Sequence, residues 1–420
     1  MTKEEYLDEG TRLLTKVQEE AVKWFEQPYQ PSMTELLYWF QSNFTENAQA
    51  MKDSDHASVP NQPNAYHIEG SVWAHTMMVC QNAQFDHKVV KIAAMLHDIG
   101  KPMARDVIPM NAKKPSMNGE ERNGPTVELG AEGRGLKTHF RGHEGLSFWL
   151  AIDPLYELKR LGVINKSEMD LILKIVSLHG TLFNRIKDNK EFKPEEVIEM
   201  FSELEDYQKF VKQCRNDSLG RFFKSGAGSR TSSGELLGIE LYGDEIYVEL
   251  KKEDKVAKNA PFLHVMVGLP ACGKSTFIKN TFHEEVVIVS KDEEVMLMGK
   301  ELGIDDYTDV YKTLTKEQHD ETYKRAIAKF NKAVKEKKVI VIDMTNMSKK
   351  SRRKWTSQAH GYNTKAWVFI AGAGLLATRN IMRSQNEGKH IPDFVYENMM
   401  KSFIVPTVGE FDFVEYVNQD

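Results

Sequence analysis

Cysteine is scarce: Cys80, Cys214 and Cys272 stand far apart, with no CxxC spacing. An odd, scattered set excludes a disulfide framework and suits reduced thiols in a cytoplasm. No apolar run approaches the roughly 20 residues that cross a bilayer. The acidic start MTKEEYLDEG lacks a signal-peptide stretch, so no membrane partner is expected. The net charge is only −5, which excludes a polycation that coats nucleic acid; a polyanionic substrate would need a local basic surface. Disorder is excluded by a 41% hydrophobic content that includes six Trp and 21 Phe.

What is present fills more than one ordinary core: 420 residues suit two domains. Over 1–223, segments such as LLTKVQEEAVKWFEQ, SVWAHTMMVCQNAQ, VVKIAAMLHDIG and MDLILKIVSLHG repeat apolar residues at three- and four-residue intervals, predicting an all-α domain. Gly100 and Pro102 end the helix that carries His97 and Asp98. A polar, Gly-rich interval over 104–137 predicts a long loop or hairpin near a site. KSGAGSRTSSG, an alternating LLGIELYGDEIYVEL and a charged run place a linker at 224–260. Over 261–420 the pattern changes to FLHVMVG, VVIVS, KVIVID and KAWVFIAG separated by helical stretches, predicting an α/β domain with a parallel sheet.

The sharpest motif is Gly268-Leu-Pro-Ala-Cys-Gly273-Lys274-Ser275, which fits GxxxxGK[ST] after an apolar strand and before a helix that begins near Thr276. Small residues let backbone N–H groups curl around phosphate oxygens, and the helix N-terminus adds positive potential. Lys274 is placed to reach the β- and γ-phosphates and the Ser275 hydroxyl to ligate Mg²⁺ of bound ATP. Asp292 follows the next strand, where a carboxylate can take a proton from an attacking hydroxyl or simply cap a helix. Asp343 ends KVIVID; it either holds magnesium through water, orients an acceptor, or closes a turn. Arg379 and Arg383 lie four apart on one helical face, as lid cations or as a solvated pair. Residues 311–360 hold 14 Lys or Arg against five Asp or Glu, which suits a polyanionic acceptor or a charged, solvated helix near 317–338.

Most of 261–420 resembles the 5′-hydroxyl polynucleotide kinase family through GLPACGKST, VSKDE, DMTNMSKKSRRKW, TRNIMR and the tail from IPDFVYENMM to GEFDFV. The resemblance implies Asp292 as general base for a 5′-OH, and Arg379 and Arg383 as lid arginines around the donor phosphates. It further implies Asn346 and Arg352 on the acceptor side, where Asp343 is also a candidate. The family often carries a second Asp and a nearby Arg after the base, where this chain has Glu293, Glu294 and Val295. Its acceptor-phosphate contact is therefore not supplied from there.

In the first half no single histidine is persuasive, but His97-Asp98 with His75, His143, His179 and Asp217 forms an ordered set whose chemistry suits divalent transition metals. Residues 70–222 resemble the HD phosphohydrolase superfamily, most closely the HD domain appended to some tRNA nucleotidyltransferases, which shares HDIGKP and GHE. The polymerase head of those enzymes is missing, so that activity is not inherited. The resemblance implies His75, His97, Asp98 and Asp217 around one metal and His143 and His179 on a second, with Mn, Ni, Co, Fe and Zn all open. Lys101 and Arg221 are phosphate or transition-state contacts on the same reading, and His139 is peripheral.

HD and kinase halves together resemble bifunctional end-healing enzymes. That implies ATP-dependent phosphorylation of 5′-OH ends and removal of 2′-, 3′- or 2′,3′-cyclic phosphates on RNA or DNA, with a ligase as downstream partner. Two alternatives stay open: an HD nucleotidase or phosphodiesterase fused to a small-molecule kinase, and a nucleotide sensor without turnover.

Overall fold

The computed structural model describes residues 30–58, 67–109, 136–181, 197–221, 259–282, 286–387 and 389–419. The first predicted helix, near 13–27, and nearly all of the 224–260 linker lie outside the described residues.

The described first half is helical: α1 (Met33–Asn43), α2 (Thr45–Asp53), α3 (Val72–Asn82), α4 (Lys88–Leu96), the short α5 (Lys101–Ala104), α6 (His143–Leu150), α7 (Ile152–Arg160), α8 (Lys166–Leu178) and α9 (Leu204–Leu219). Between α5 and α6, β1 (Arg105–Pro109) pairs antiparallel with β2 (Leu136–Phe140); the rest of the polar interval, 110–135, lies outside the described residues. The centre of the bundle is α4, whose nine residues are all buried. Its sequence KVVKIAAML is apolar around the whole circumference, as a helix wrapped on every side requires. The two lysines do not break this rule. Lys88 Nζ donates to the Val163 carbonyl at 2.9 Å and faces Glu168, and Lys91 Nζ donates to the Pro31 carbonyl at 3.1 Å; each buried ammonium is thereby satisfied.

The helix stops at Leu96, with His97 as its C-cap, and a tight turn follows before Pro102 opens α5. Gly100 belongs in that turn because a Cβ there would lie 2.4 Å from the Ser147 backbone nitrogen. Only glycine lets α6 come this close to the HD turn.

In the second half β3 (Phe262–Val267) leads through α10 (Lys274–Thr281) to β4 (Val287–Val289). Then follow α11 (Lys291–Glu301), α12 (Tyr307–Thr313), α13 (Lys316–Lys335), β5 (Ile340–Ile342), α14 (Lys349–Thr356), β6 (Asn363–Ile370), α15 (Ala373–Glu387), α16 (Asp393–Ser402) and β7 (Phe413–Asn418). The sheet is wholly parallel, in the order β4-β5-β3-β6-β7. Four of these strands follow the apolar runs of the sequence. The edge strand β7 sits in the tail, where no strand was expected, because its exposed side breaks the apolar run. The charged stretch near 317–338 forms α13, with Thr322, Ala326, Phe330 and Ala333 turned inward. Most of its lysines therefore lie on the outer face.

One buried apolar core continues through both halves. Phe403, just after α16, packs on Phe148 and Trp149 of α6 with ring centroids 4.5 and 5.4 Å apart. Among the described residues no helix is long and apolar enough to cross a membrane.

Candidate functional site

The turn after α4 brings together all six expected histidine and aspartate residues of the first half. His75 comes from α3, His97 and Asp98 from the end of α4, His143 from the start of α6, His179 from the end of α8 and Asp217 from α9. Asp98 lies between two groups. Its Oδ2 is 3.5 Å from His75 Nε2 and 3.2 Å from His97 Nε2, while Oδ1 is 3.5 Å from His143 Nε2 and 3.6 Å from His179 Nε2. Asp217 Oδ1 joins the first group, 3.0 Å from His75 Nε2. His143 and His179 meet Nε2 to Nε2 at 3.1 Å.

Four imidazoles are oriented alike. The Nδ1 atoms of His75, His97, His143 and His179 lie 2.7–2.9 Å from the carbonyls of Gly220, Ala94, Phe140 and Val176. Donation from Nδ1 turns each Nε2 inward, the orientation a metal ligand needs. The rings of His75 and His97, and those of His143 and His179, are inclined at 66°, so their planes intersect and each pair can share an ion. Both Asp98 oxygens are buried, Oδ2 beside the Lys101 ammonium at 2.7 Å and Oδ1 between two imidazoles. Such a carboxylate, flanked by two sets of inward Nε2 atoms, fits a bridge between two divalent ions.

Charge agrees with geometry. Burial alone would raise Asp98, but His97 and Lys101 outweigh it and hold the carboxyl well below the usual range. Burial likewise opposes ionisation of Asp217, and its hydrogen bond with His75 and the nearby Arg221 overcome it. Burial disfavours a charged His179, yet Asp98 pushes the imidazole up to about 9. Lys101 Nζ stands 2.7 Å from Asp98 Oδ2, and an Arg221 Nη atom 3.9 Å from Asp217 Oδ1. Both cations named from the sequence are thus at the cluster. His139 lies apart on β2, opposite Asp106.

A third group, His56, His67 and Glu69, went unnoticed in the sequence because His56 and His67 stand outside the ordered motifs. The His56 and His67 rings are stacked, 4.1 Å apart and inclined by only 8°. Two parallel rings offer no point in both planes, so they do not aim at one ion. His56 Nε2 instead lies 3.1 Å from Lys101 Nζ, and Glu69 lies 2.7 Å from His67 Nδ1 and 3.4 Å from His75 Nδ1. These residues brace the cluster from behind.

In the second half residues 268–273 join β3 to α10, whose first two residues are Lys274 and Ser275. Ala271 and Gly273 adopt left-handed backbones, φ 62° and 91°, which curl the loop into a cradle. Lys274 Nζ sits inside, donating to the Gly268 and Leu269 carbonyls at 3.1 and 2.7 Å. The Ser275 hydroxyl donates to Asp343 Oδ2 at 2.9 Å. That contact ties the end of β5 to the first turn of α10. Thr276 continues in α10 beside it.

The lid helix α15 spans the site. Arg379 Nη1 donates to the Ala271 carbonyl at 3.4 Å, over the loop. One turn on, Arg383 is close enough to Asp292 to help lower its pKa. Asp292 itself is held by Tyr307, whose hydroxyl donates to Oδ1 at 3.1 Å, and by Lys389, whose ammonium pairs with Oδ2. Lys389 also lies over the Tyr307 ring, 3.8 Å from its centroid. Burial would raise Asp292, but Lys389 dominates and the carboxyl titrates below its ordinary value. Neither Lys389 nor Tyr307 stood out in the sequence; Lys389 falls between TRNIMR and IPDFVYENMM and belongs to neither.

Two expected acceptor residues are corrected. Arg352 is fully buried, forked onto Glu410 at 2.9 and 2.7 Å and donating to the carbonyls of Asn346, Met347 and Ile404. Asn346 is buried too, its amide donating to the Met266 carbonyl at 2.9 Å and accepting from Trp355 Nε1 at 3.3 Å. Their hydrogen-bonding groups are spent inside the fold, so they hold the segment after β5 instead of facing a substrate.

Residues 263–406 match the model of an AAA domain. The described second half is accordingly similar to an AAA domain, and its P-loop implies ATP with Mg²⁺ as ligand. Among solved structures, the chain is similar to a member of the Pnkp1/Rnl/Hen1 RNA repair complex, at 23% identity and a TM-score of 0.30, covering 36% of this chain and 46% of that one. It is also similar to an inferred kinase from Chloroflexus aurantiacus, at 14% identity and a TM-score of 0.29, covering 39% and 87% of the two chains. The chain therefore spans under half of the first of these proteins.

Proposed function

We propose that the chain is a bifunctional nucleic-acid end-healing enzyme, phosphorylating 5′-OH ends from ATP and removing 2′- or 3′-phosphates, cyclic ones included. The observation that carries this reading is the lid. Helix α15 sets Arg379 over the P-loop and Arg383 near Asp292, and Lys389, two residues past its end, pairs with that carboxylate. Donor phosphate and candidate base are bound into one device. Lys274, Arg379 and Arg383 neutralise the moving phosphoryl group, and Asp292 accepts the proton of the attacking hydroxyl. The clustered charge of 311–360, exposed along α13, suits a polyanionic strand.

For the second activity, His75, His97, Asp98 and Asp217 would hold one divalent ion and Asp98, His143 and His179 another, with Asp98 shared. Ions bound there would supply an acidified water and neutralise phosphoryl oxygens. Lys101, buried beside Asp98, and Arg221 orient the departing phosphate.

The test is a labelled RNA with a 5′-OH and a 3′-phosphate, incubated with and without ATP and manganese. ATP adds a 5′-phosphate, and manganese alone releases the 3′-phosphate. Phosphorylation of nucleosides or sugars but not of the RNA would move the kinase to a small-molecule acceptor. Binding of ATP without either reaction would leave a sensor.

The pairing of Lys389 with Asp292 also predicts a pH effect. A lowered pKa keeps Asp292 ionised, and so able to accept a proton, as pH falls. Lys389→Met removes the main depressing charge, so the acid limb of kcat/KM for the 5′-OH substrate shifts to higher pH. An unmoved limb would show that Lys389 does not act on Asp292.

A further inference from the structure

The lid helix α15 begins at Ala373 directly after Gly372, a residue with no side chain to cap it. The cap comes from the other half of the chain. Asp153, in the first turn of α7, accepts a hydrogen bond from Ala373 N through Oδ2 at 3.2 Å. The approach is so close that a Cβ on Gly372 would fall 2.0 Å from Asp153 Oδ1. One helical turn later, the Tyr156 hydroxyl donates to the Ile370 carbonyl at 3.0 Å and accepts from Gln419 N at 3.2 Å. The side chain of Gln419 then returns to the lid, its Oε1 accepting from Arg379 Nη1 at 3.3 Å. Two residues of one α7 face therefore grip the carboxyl end of β6 and reach the same arginine, one through the helix start and the other through Gln419.

We propose that Asp153 and Tyr156 are positioning residues for Arg379, so that the first half completes the ATP site of the second. A carboxylate at a helix N-terminus satisfies orphan N–H groups and favours the helix dipole. Supplied from another segment, it also fixes where that helix points. The lid then keeps its angle over the P-loop only while the two halves stay docked. This rests on the reading of the second half as an ATP-dependent phosphotransferase.

The experiment uses the full chain with Asp153→Ala, Asp153→Asn and Tyr156→Phe. Affinity is read with a fluorescent N-methylanthraniloyl ATP, transfer with a 5′-OH oligonucleotide, and the first half with 3′-phosphate release. D153A is expected to weaken ATP affinity and raise KM for ATP about fivefold, the scale of a lost N-cap, with phosphate release unchanged. Asparagine keeps an acceptor at the same reach, so D153N recovers most of the loss; Y156F gives a smaller loss. Wild-type affinity in D153A, D153N no better than D153A, or a joint fall of both activities would each overturn the proposal. Because nucleotide affinity needs no acceptor, absence of transfer by the wild type would overturn the kinase reading without silencing this test.

Discussion

Lys274→Ala is expected to cut transfer of the γ-phosphoryl group from ATP to a 5′-OH oligonucleotide by about 10²–10³-fold, the scale of removing one preorganised charge contact from a transition state. The lysine is buried beside the loop, and its ammonium already lies against the loop carbonyls. Asp292→Asn should cost a comparable factor, about 10²–10⁴-fold for a general base, but with ATP binding retained, because Asp292 stands in the first turn of α11 and not in the loop. Release of 3′-phosphate should persist in both variants. Gel transfer of label, nucleotide binding and phosphate release, measured side by side, check this. An Asp292→Asn enzyme with full transfer would remove Asp292 from the chemistry.

The second large effect is expected at Asp98. Its two oxygens face the two histidine groups, so Asp98→Ala removes a ligand from both proposed ions at once. Loss of several kcal/mol of charge stabilisation corresponds to about 10³-fold or more in phosphate release. Metal content, read by atomic emission after equilibration with manganese, should fall with it, whereas the kinase should keep its rate. Retention of both ions in Asp98→Ala would break the bridging assignment. Phosphate release should likewise be lost on chelation and return with added metal.

Much of this was legible before any coordinates. The P-loop could be read because its function is local: backbone N–H groups must surround a phosphate, so spacing and residue type lie within one short stretch. The histidine and aspartate set could be read for a related reason, since each member sits at a helix end or in a helix whose periodicity is plain. Arg352 and Asn346 misled because a basic residue and an amide beside a strand end look identical in sequence whether they face a substrate or the interior. Only the packing of Glu410 and Trp355 against them turned them inward.

The sequence by itself determined a helical first half, a parallel-sheet second half, the phosphate loop and the identity of the residues that gather at the cluster. Periodicity and short motifs encode these directly, through contacts between near neighbours in the chain. The tertiary structure alone decided that Asp98 stands between two histidine groups, that Lys389 meets Asp292 across 97 positions, and that Asp153 caps a helix 220 residues away. Contacts over such separations depend on where helices dock, and docking follows from complementary buried surfaces that no single stretch of sequence displays.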